Sequence, residues 1–144
     1  MEDFLESKKL KCHLSIKNIE ENLPEIEQLL RELQNLHQTI HLLDSVEVEV
    51  EEEHYDKVRY VTKFNRAFHR LSYEFYQTLD SLEEFGCLIR DIDSGIIDFL
   101  YIFERRDVFL CWKQGEKSID HWHEVKDGFT KRKKILDLEK IKRN

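Results

Sequence analysis

One run of apolar residues near the start of the chain restricts the possible fold more than any other feature. Its positions are separated alternately by three and four residues, with His37 as the only interruption. They are Ile16, Ile19, Leu23, Ile26, Leu30, Leu33, His37 and Ile40, flanked by a row of Leu29, Leu36 and Leu43. This spacing predicts a long helix whose apolar seam packs against another helix. Ser15 or Asn18 is placed to cap its start, and Pro24 predicts a kink or a restart.

A second helical pattern follows from Tyr55 onward and stops before Gly86, which suits a helix C-cap. Its apolar positions are Val58, Val61, Phe64, Phe68, Leu71, Phe75, Leu79, Leu82 and Phe85. The acidic stretch at 46–53 alternates with a period of two, as a strand does, but its glutamates also suit the approach to a helix N-terminus. We interpret it as a connector and helix start. The two patterns predict a coiled-coil-like, antiparallel helical hairpin over residues 15–86.

After Gly86 the sequence changes to short β-branched and aromatic runs separated by turn signals at 93–95, 104–107 and 114–116. This pattern predicts a small antiparallel β-meander of three or four strands over residues 87–130. The basic segment 131–144 is expected to form a short C-terminal helix. Residues 1–14 carry no strong pattern and are interpreted as a loose lead-in. The predicted fold class is therefore α+β, with residues 15–144 as a single domain.

The hairpin carries more apolar surface than the remaining residues can cover. With a chain of 144 residues, the C-terminal part must also build its own layer. We therefore expect a homodimer formed through the helices.

The charge and the cysteine content restrict which binding partners and which cellular compartment are expected. The net charge is −7, with seven Lys and Arg against two acids between Lys131 and Asn144. This short basic segment is expected to be solvated, so nucleic acid is not expected as a partner. No apolar run is long enough to span a membrane. The widely spaced Cys12, Cys87 and Cys111 indicate a reduced, cytoplasmic protein with structural thiols, and the last two are expected to be buried on neighbouring strands.

The stretch IDHWHEVKDGF, from Ile119 to Phe129, contains the residues best suited to chemistry. On a strand, His121 and His123 project to the same face and could share a divalent metal with nearby carboxylates. The alternative is that Trp122 faces the core and both histidines lie on the solvent-exposed face. His123 with Glu124 and Asp127 could also form an acid/base group, although the sequence contains no recognisable nucleophile motif.

Asp98 heads an otherwise apolar strand. It is expected to cap the turn at Gly95 or, if buried beside Arg90 or Arg132, to form a structural ion pair. The full set of candidate ligand-binding residues is Asp98, Trp112, Trp122, His123, Glu124, Asp127 and Arg132.

Several of these residues belong to a pattern that resembles the bacterial domain-of-unknown-function 2203 family, over about Leu14 to Ile135. The resemblance rests on LPEIEQLL, LEEFGCLIRDIDSGIIDF, VFLCWKQGE and WHEVKDGFTKR. The chain departs from the family pattern at Leu100, where proline is common, and at His121, where the family has no histidine. The resemblance implies the fold and implies no activity.

From the sequence we expect a non-enzymatic, homodimeric interaction or structural module that needs no cofactor. The alternative is a metal- or small-molecule-binding protein, or an enzyme, with a histidine and carboxylate cluster around His123 in a cleft between sheet and helices.

Overall fold

The computed structural model describes residues 15–45 and 54–135. Two long α-helices come first, α1 (Ile16–Asp44) and α2 (His54–Glu84). They run in opposite directions, since His37 contacts Phe75 whereas the earlier Leu29 lies beside the later Ser81. The α+β architecture and the helical hairpin are therefore confirmed. The predicted lead-in at 1–14 and the connector at 46–53 lie outside the described residues.

Helix α1 begins at Ser15, whose hydroxyl oxygen accepts a hydrogen bond from the Asn18 amide at 3.2 Å. The restart given as one alternative at Pro24 is wrong, because α1 is a single helix with Pro24 inside it. Proline removes only one backbone donor. The burial of Leu23 and Ile26 on either side stabilises the helical conformation there.

Helix α2 ends as the sequence predicts. Gly86 has a φ of +84°, and its amide donates to the Glu83 carbonyl at 2.9 Å. A residue without a Cβ adopts this left-handed conformation without steric cost, so the chain can turn directly into the sheet.

The sheet is an antiparallel meander of five strands within the described part of the chain. The strands are β1 (Cys87–Asp91), β2 (Ile96–Phe103), β3 (Arg106–Lys113), β4 (His121–Glu124) and β5 (Lys133–Lys134). The fifth strand corrects the expectation of three or four. It is short, basic and exposed, so it lacks the apolar alternation by which strands are recognised.

The segment 131–144, which is expected to form a C-terminal helix, begins with a 3-10 turn and a short strand instead. Residues Phe129–Lys131 form a 3-10 turn, and β5 then pairs with β4 through Trp122 and Lys133. Residues 136–144 lie outside the described residues.

The core lies between α1 and one face of the sheet. The buried α1 residues all belong to the predicted seam, and they pack with strand residues and with Leu82 of α2. The helix contributes Ile19, Leu23, Ile26, Leu30 and Leu33, and the strands contribute Cys87, Ile97, Phe99, Phe103, Val108, Leu110, Trp112 and Trp122. No described α1 residue beyond Leu33 is buried, so the core covers only the first part of the predicted seam.

A pair of glutamines fixes α1 to the turns of the sheet. The Gln34 amide nitrogen donates to the Ile92 carbonyl at 2.9 Å and to the Gln114 side-chain oxygen at 2.8 Å. Gly95 packs directly against Gln114, because a Cβ at Gly95 would lie 2.5 Å from the Gln114 Cβ. The close approach of these two turns therefore requires a glycine.

Gly95→Ala and Gly115→Ala form a matched pair that separates this contact from backbone strain. Both glycines have positive φ, +70° and +101°, but a Cβ at Gly115 would meet nothing within 4 Å. We expect Gly95→Ala to lower the free energy of unfolding by about 2–4 kcal/mol and Gly115→Ala by about 1 kcal/mol. Urea unfolding of both variants measures the difference. Equal losses would show that the contact with Gln114 contributes nothing.

Candidate functional site

The face of the sheet that points away from the helices carries buried polar residues. In β2, Ile97 and Phe99 enter the core, so Asp98 between them projects to the opposite face. The register pairs Asp98 with Cys111, which places the cysteine on that same face. His123 pairs with Phe109, two residues before Cys111, and therefore also projects there. The alternation of three adjacent strands thus brings a carboxylate, a thiol and an imidazole together.

His123 is held at both ring nitrogens. Its Nε2 lies 2.9 Å from Oδ2 of Asp98, and its Nδ1 lies 2.8 Å from the Glu124 carbonyl oxygen. A carbonyl oxygen only accepts hydrogen bonds, so Nδ1 must carry a proton and donate it. The orientation of the ring is therefore fixed from both sides.

Asp98 is the centre of the cluster. Its Oδ2 also accepts from Nε of Arg90 at 2.8 Å, so the ion pair given as one alternative for a buried Asp98 is present. Asp98 is 1% exposed, and a buried carboxylate is stable only when charged or hydrogen-bonding partners surround it. Its second oxygen, Oδ1, is buried and has no hydrogen-bond partner within residues 15–45 and 54–135.

The expectation that both histidines lie on a solvent-exposed face is wrong for His123, which is 1% exposed. The Phe109 ring packs beside its imidazole, with centroids 5.6 Å apart, and the Arg90 guanidinium lies 4.9 Å from the centre of the Phe109 ring. Strand alternation identifies the face of a residue, but it does not show what covers that face.

The Cys111 thiol lies between two oppositely charged groups. Burial, with a smaller contribution from Asp98, raises the pKa of Cys111 from 9.0 to about 12, while Arg132 acts in the lowering direction. Cys87 projects to the other face, where burial raises the pKa of its thiol to about 12. Both thiols are free and buried, as expected. Their strands are not neighbours, because β1 and β3 flank β2.

Glu116 organises the connection from β3 to β4. Its Oε1 accepts from the Lys113 amide at 2.7 Å and from Arg132 at 3.0 Å. Its Oε2 lies 3.5 Å from Nδ1 of His121. Arg132 is thereby positioned close to Cys111, and His121 faces Glu116 rather than the Asp98 carboxylate.

The structure thus brings Asp98 and His123 from the candidate set into contact, places Arg132 beside Cys111, and places the others elsewhere. Trp112 and Trp122 are buried on the helix-facing side of the sheet. Glu124 pairs with Arg106 at 3.1 Å, and Asp127 lies 3.8 Å from Lys131. The expected location in a cleft between sheet and helices is wrong for Asp98 and His123, since both lie on the opposite side of the sheet.

Sequence reasoning misses two participants, Cys111 and Glu116, whereas it names Arg90 as one possible partner of a buried Asp98. Neighbouring Leu110 and Trp112 make the run around Cys111 look uniformly apolar, so the sequence indicates only a structural thiol there. The pairing of Asp98 with Cys111 could have been found only by predicting the register of β2 against β3.

Comparison with known families places the chain in one of them. The family model described as "Uncharacterized conserved protein (DUF2203)" matches residues 14–135. The chain belongs to this family, in agreement with the resemblance of its motifs. No curated protein and no solved structure matches the chain significantly. Among the described residues, neither helix is long and apolar enough to cross a membrane.

His123→Ala and His121→Ala provide a matched test of the cluster, because both histidines lie on β4. We expect His123→Ala to lower the free energy of unfolding by about 2–4 kcal/mol, since it removes a buried ring and leaves Asp98 with one partner fewer. His121 is only loosely placed against Glu116, so its replacement should cost less than about 1 kcal/mol. Urea unfolding of both variants measures these costs. A similar cost at both positions would contradict a special role for His123.

The native thiols should react slowly with alkylating reagents. In a Cys12→Ser background at pH 8, a pKa of about 12 leaves roughly a thousandfold less thiolate than a pKa of 9.0. We expect Cys87 and Cys111 to resist iodoacetamide until the protein is unfolded in urea. Both native pKa values are raised, so the folded state favours the protonated thiols. The contribution of this preference to the free energy of unfolding is complete below pH 9.0 and is lost as the pH rises towards about 12. Rapid native labelling of either thiol would rule out its burial.

Proposed function

We propose that the protein is a homodimeric association module whose helical hairpin forms the interface. One observation carries the proposal. Between Lys57 and Ser81 none of the described α2 side chains is buried, and the first buried one is Leu82. This span nevertheless carries the apolar positions Val61, Phe64, Phe68, Leu71 and Phe75 at helical spacing.

Apolar burial explains why such a surface favours a partner. Fully burying a large apolar side chain contributes roughly 1.5–3 kcal/mol, and a two-helix hairpin can bury each seam only in part. A second hairpin packed against the first would complete this burial, as in a four-helix bundle. The exposed tyrosines Tyr73 (64%) and Tyr76 (62%) add residues of a type that is enriched in protein interfaces.

The distribution of charge along α2 favours a second copy of the same chain as the partner. Between residues 57 and 70 the helix contains five basic residues and no acidic one, and between 74 and 84 it contains four acidic residues and no basic one. The basic residues are Lys57, Arg59, Lys63, Arg66 and Arg70, and the acidic ones are Glu74, Asp80, Glu83 and Glu84. In a two-fold dimer with antiparallel α2 helices, the basic half of each helix lies beside the acidic half of the other.

A groove between the helices supports the same arrangement. It is lined by Leu29, by the carboxylates of Glu32, Asp80 and Glu84, and by three uncharged polar side chains, so it presents a negative and mostly polar surface. The basic half of a partner's α2 matches this groove in sign, whereas the acidic half would be repelled.

Charge reversal tests the arrangement in solution. We expect sedimentation equilibrium of the full chain to give twice the monomer mass of 17.6 kDa. Arg66→Glu/Arg70→Glu and Asp80→Lys/Glu84→Lys should each weaken the dimer by roughly 10–100-fold, because each places like charges opposite one another. An equimolar mixture of the two variants should restore dimers, since the reversed charges complement each other.

The matched control is Glu104→Lys/Asp107→Lys, which reverses two exposed charges at the turn between β2 and β3, outside both helices. It should leave the dimer unchanged. A monomer mass for the native chain at tens of micromolar would refute the homodimer. A dimer that is unaffected by both reversals would place the interface elsewhere.

A further inference from the structure

We propose that Asp98, Cys111 and His123 form a binding site for a divalent transition-metal ion of the zinc class. One ligand atom from each residue lies within 4.8 Å of the others, and all three residues are buried. They belong to three adjacent strands, β2, β3 and β4, so the hydrogen bonds of the sheet fix their separation. This inference is independent of dimer formation, because the site lies on the sheet face that points away from the helices.

The donor atoms determine the class of metal. A thiolate, an imidazole and a carboxylate are the three ligand types that zinc accepts, whereas magnesium and calcium select oxygen ligands. Three protein ligands leave the fourth position of a tetrahedral ion for water or another small ligand.

The surroundings of His123 suit a metal ligand. Its Nδ1 donates to the Glu124 carbonyl, which leaves Nε2 as the nitrogen that faces Asp98. A ligand histidine characteristically donates its other ring proton to a carbonyl or carboxylate in this way. His121, two residues earlier, faces Glu116 and is excluded from the ligand set.

Asp98 supplies a second, independent observation. Its Oδ1 is buried without a hydrogen-bond partner in the part of the chain that the structure describes, while Oδ2 is occupied by Arg90 and His123. The Cys111 thiol interacts with the Asp98 carboxylate, but a thiol is a weak donor and compensates little of the hydration that Oδ1 has lost. A metal ion bound at Oδ1 would compensate it, and Arg90 could keep its hydrogen bond to Oδ2. The ion would replace the Cys111 thiol proton and the proton that His123 Nε2 donates to Asp98, and both protons leave to solvent.

Two neighbouring arginines, Arg90 and Arg132, affect how tightly the proposed site can bind a cation. Arg132 is paired with Glu116, so its charge is largely balanced locally. Arg90 has a 43% exposed side chain and contacts the Asp98 carboxylate directly, so it repels a bound cation. Removing its charge should therefore tighten metal binding, whereas a purely structural network would only lose stability.

Cobalt(II) titration of the chelator-treated, reduced full chain tests the site. In a Cys12→Ser background we expect one ion per chain, a thiolate-to-cobalt charge-transfer band in the near ultraviolet, and displacement by zinc(II). Cys111→Ser should abolish the band. The controls Cys87→Ser, a buried thiol on the other sheet face, and His121→Gln, a histidine on the same strand, should keep it. Arg90→Gln should bind cobalt roughly tenfold more tightly.

A measurement without a site variant covers the case in which Cys111→Ser does not fold. In moderate urea, zinc should slow alkylation of Cys111 in the native sequence, as read by mass spectrometry of the labelled peptides. Cys87 should be slowed to the smaller extent that bound zinc lowers the unfolded fraction of the whole chain. The absence of a saturable band, a band that persists in folded Cys111→Ser, or equal alkylation with and without zinc would each overturn the proposal. These outcomes do not affect the dimer, whose test is the sedimentation mass.

Discussion

The packing of the α1 seam on the sheet is the contact on which the rest of the structure depends. Ile26, Leu30 and Leu33 are completely buried by it, together with Phe99, Leu110 and Trp112. Because the sheet is short, it covers only the part of α1 up to Leu33. Beyond that point α1 meets the turns of the sheet through Gln34 and His37, but the packing between two helices cannot exclude water from both seams. The exposed apolar surface of α2 is a direct consequence of this difference in length.

The two faces of the sheet carry different interactions because each strand alternates between them. The inner face supplies apolar side chains to the core. The outer face buries Asp98 and His123, two polar groups that need partners once they are removed from water. The chain provides those partners through Arg90 and the Glu124 carbonyl, while Oδ1 of Asp98 has none among the described residues. A buried polar network of this kind often stabilises a fold less than an apolar core of equal volume. Such networks are common at binding sites, and this favours a ligand-binding role for the cluster.

The proposed helical interface and the proposed metal site would lie on opposite sides of the sheet. Association at the proposed interface depends on apolar area and charge pattern and does not depend on the exact position of single atoms. The proposed metal site is a cluster in which sub-ångström placement matters, and it is built on strands whose register is fixed by backbone hydrogen bonds. A chain of 144 residues has room for both proposed sites, because one involves the helices and the other the sheet face that points away from them.

The sequence by itself determined the two helices, the glycine that ends the second one, the meander and the family. These features depend on local spacing and on single residues such as Gly86, which act over a few neighbours. The tertiary structure decided that the helix continues through Pro24 and that Lys133–Lys134 adds a fifth strand. It also decided that His123 is buried and meets Asp98 and Cys111. Periodicity predicts the face on which a residue lies. The residues that it contacts there depend on strand register and on the groups that cover the sheet. Both are set by contacts between residues distant in sequence, which a local pattern does not contain.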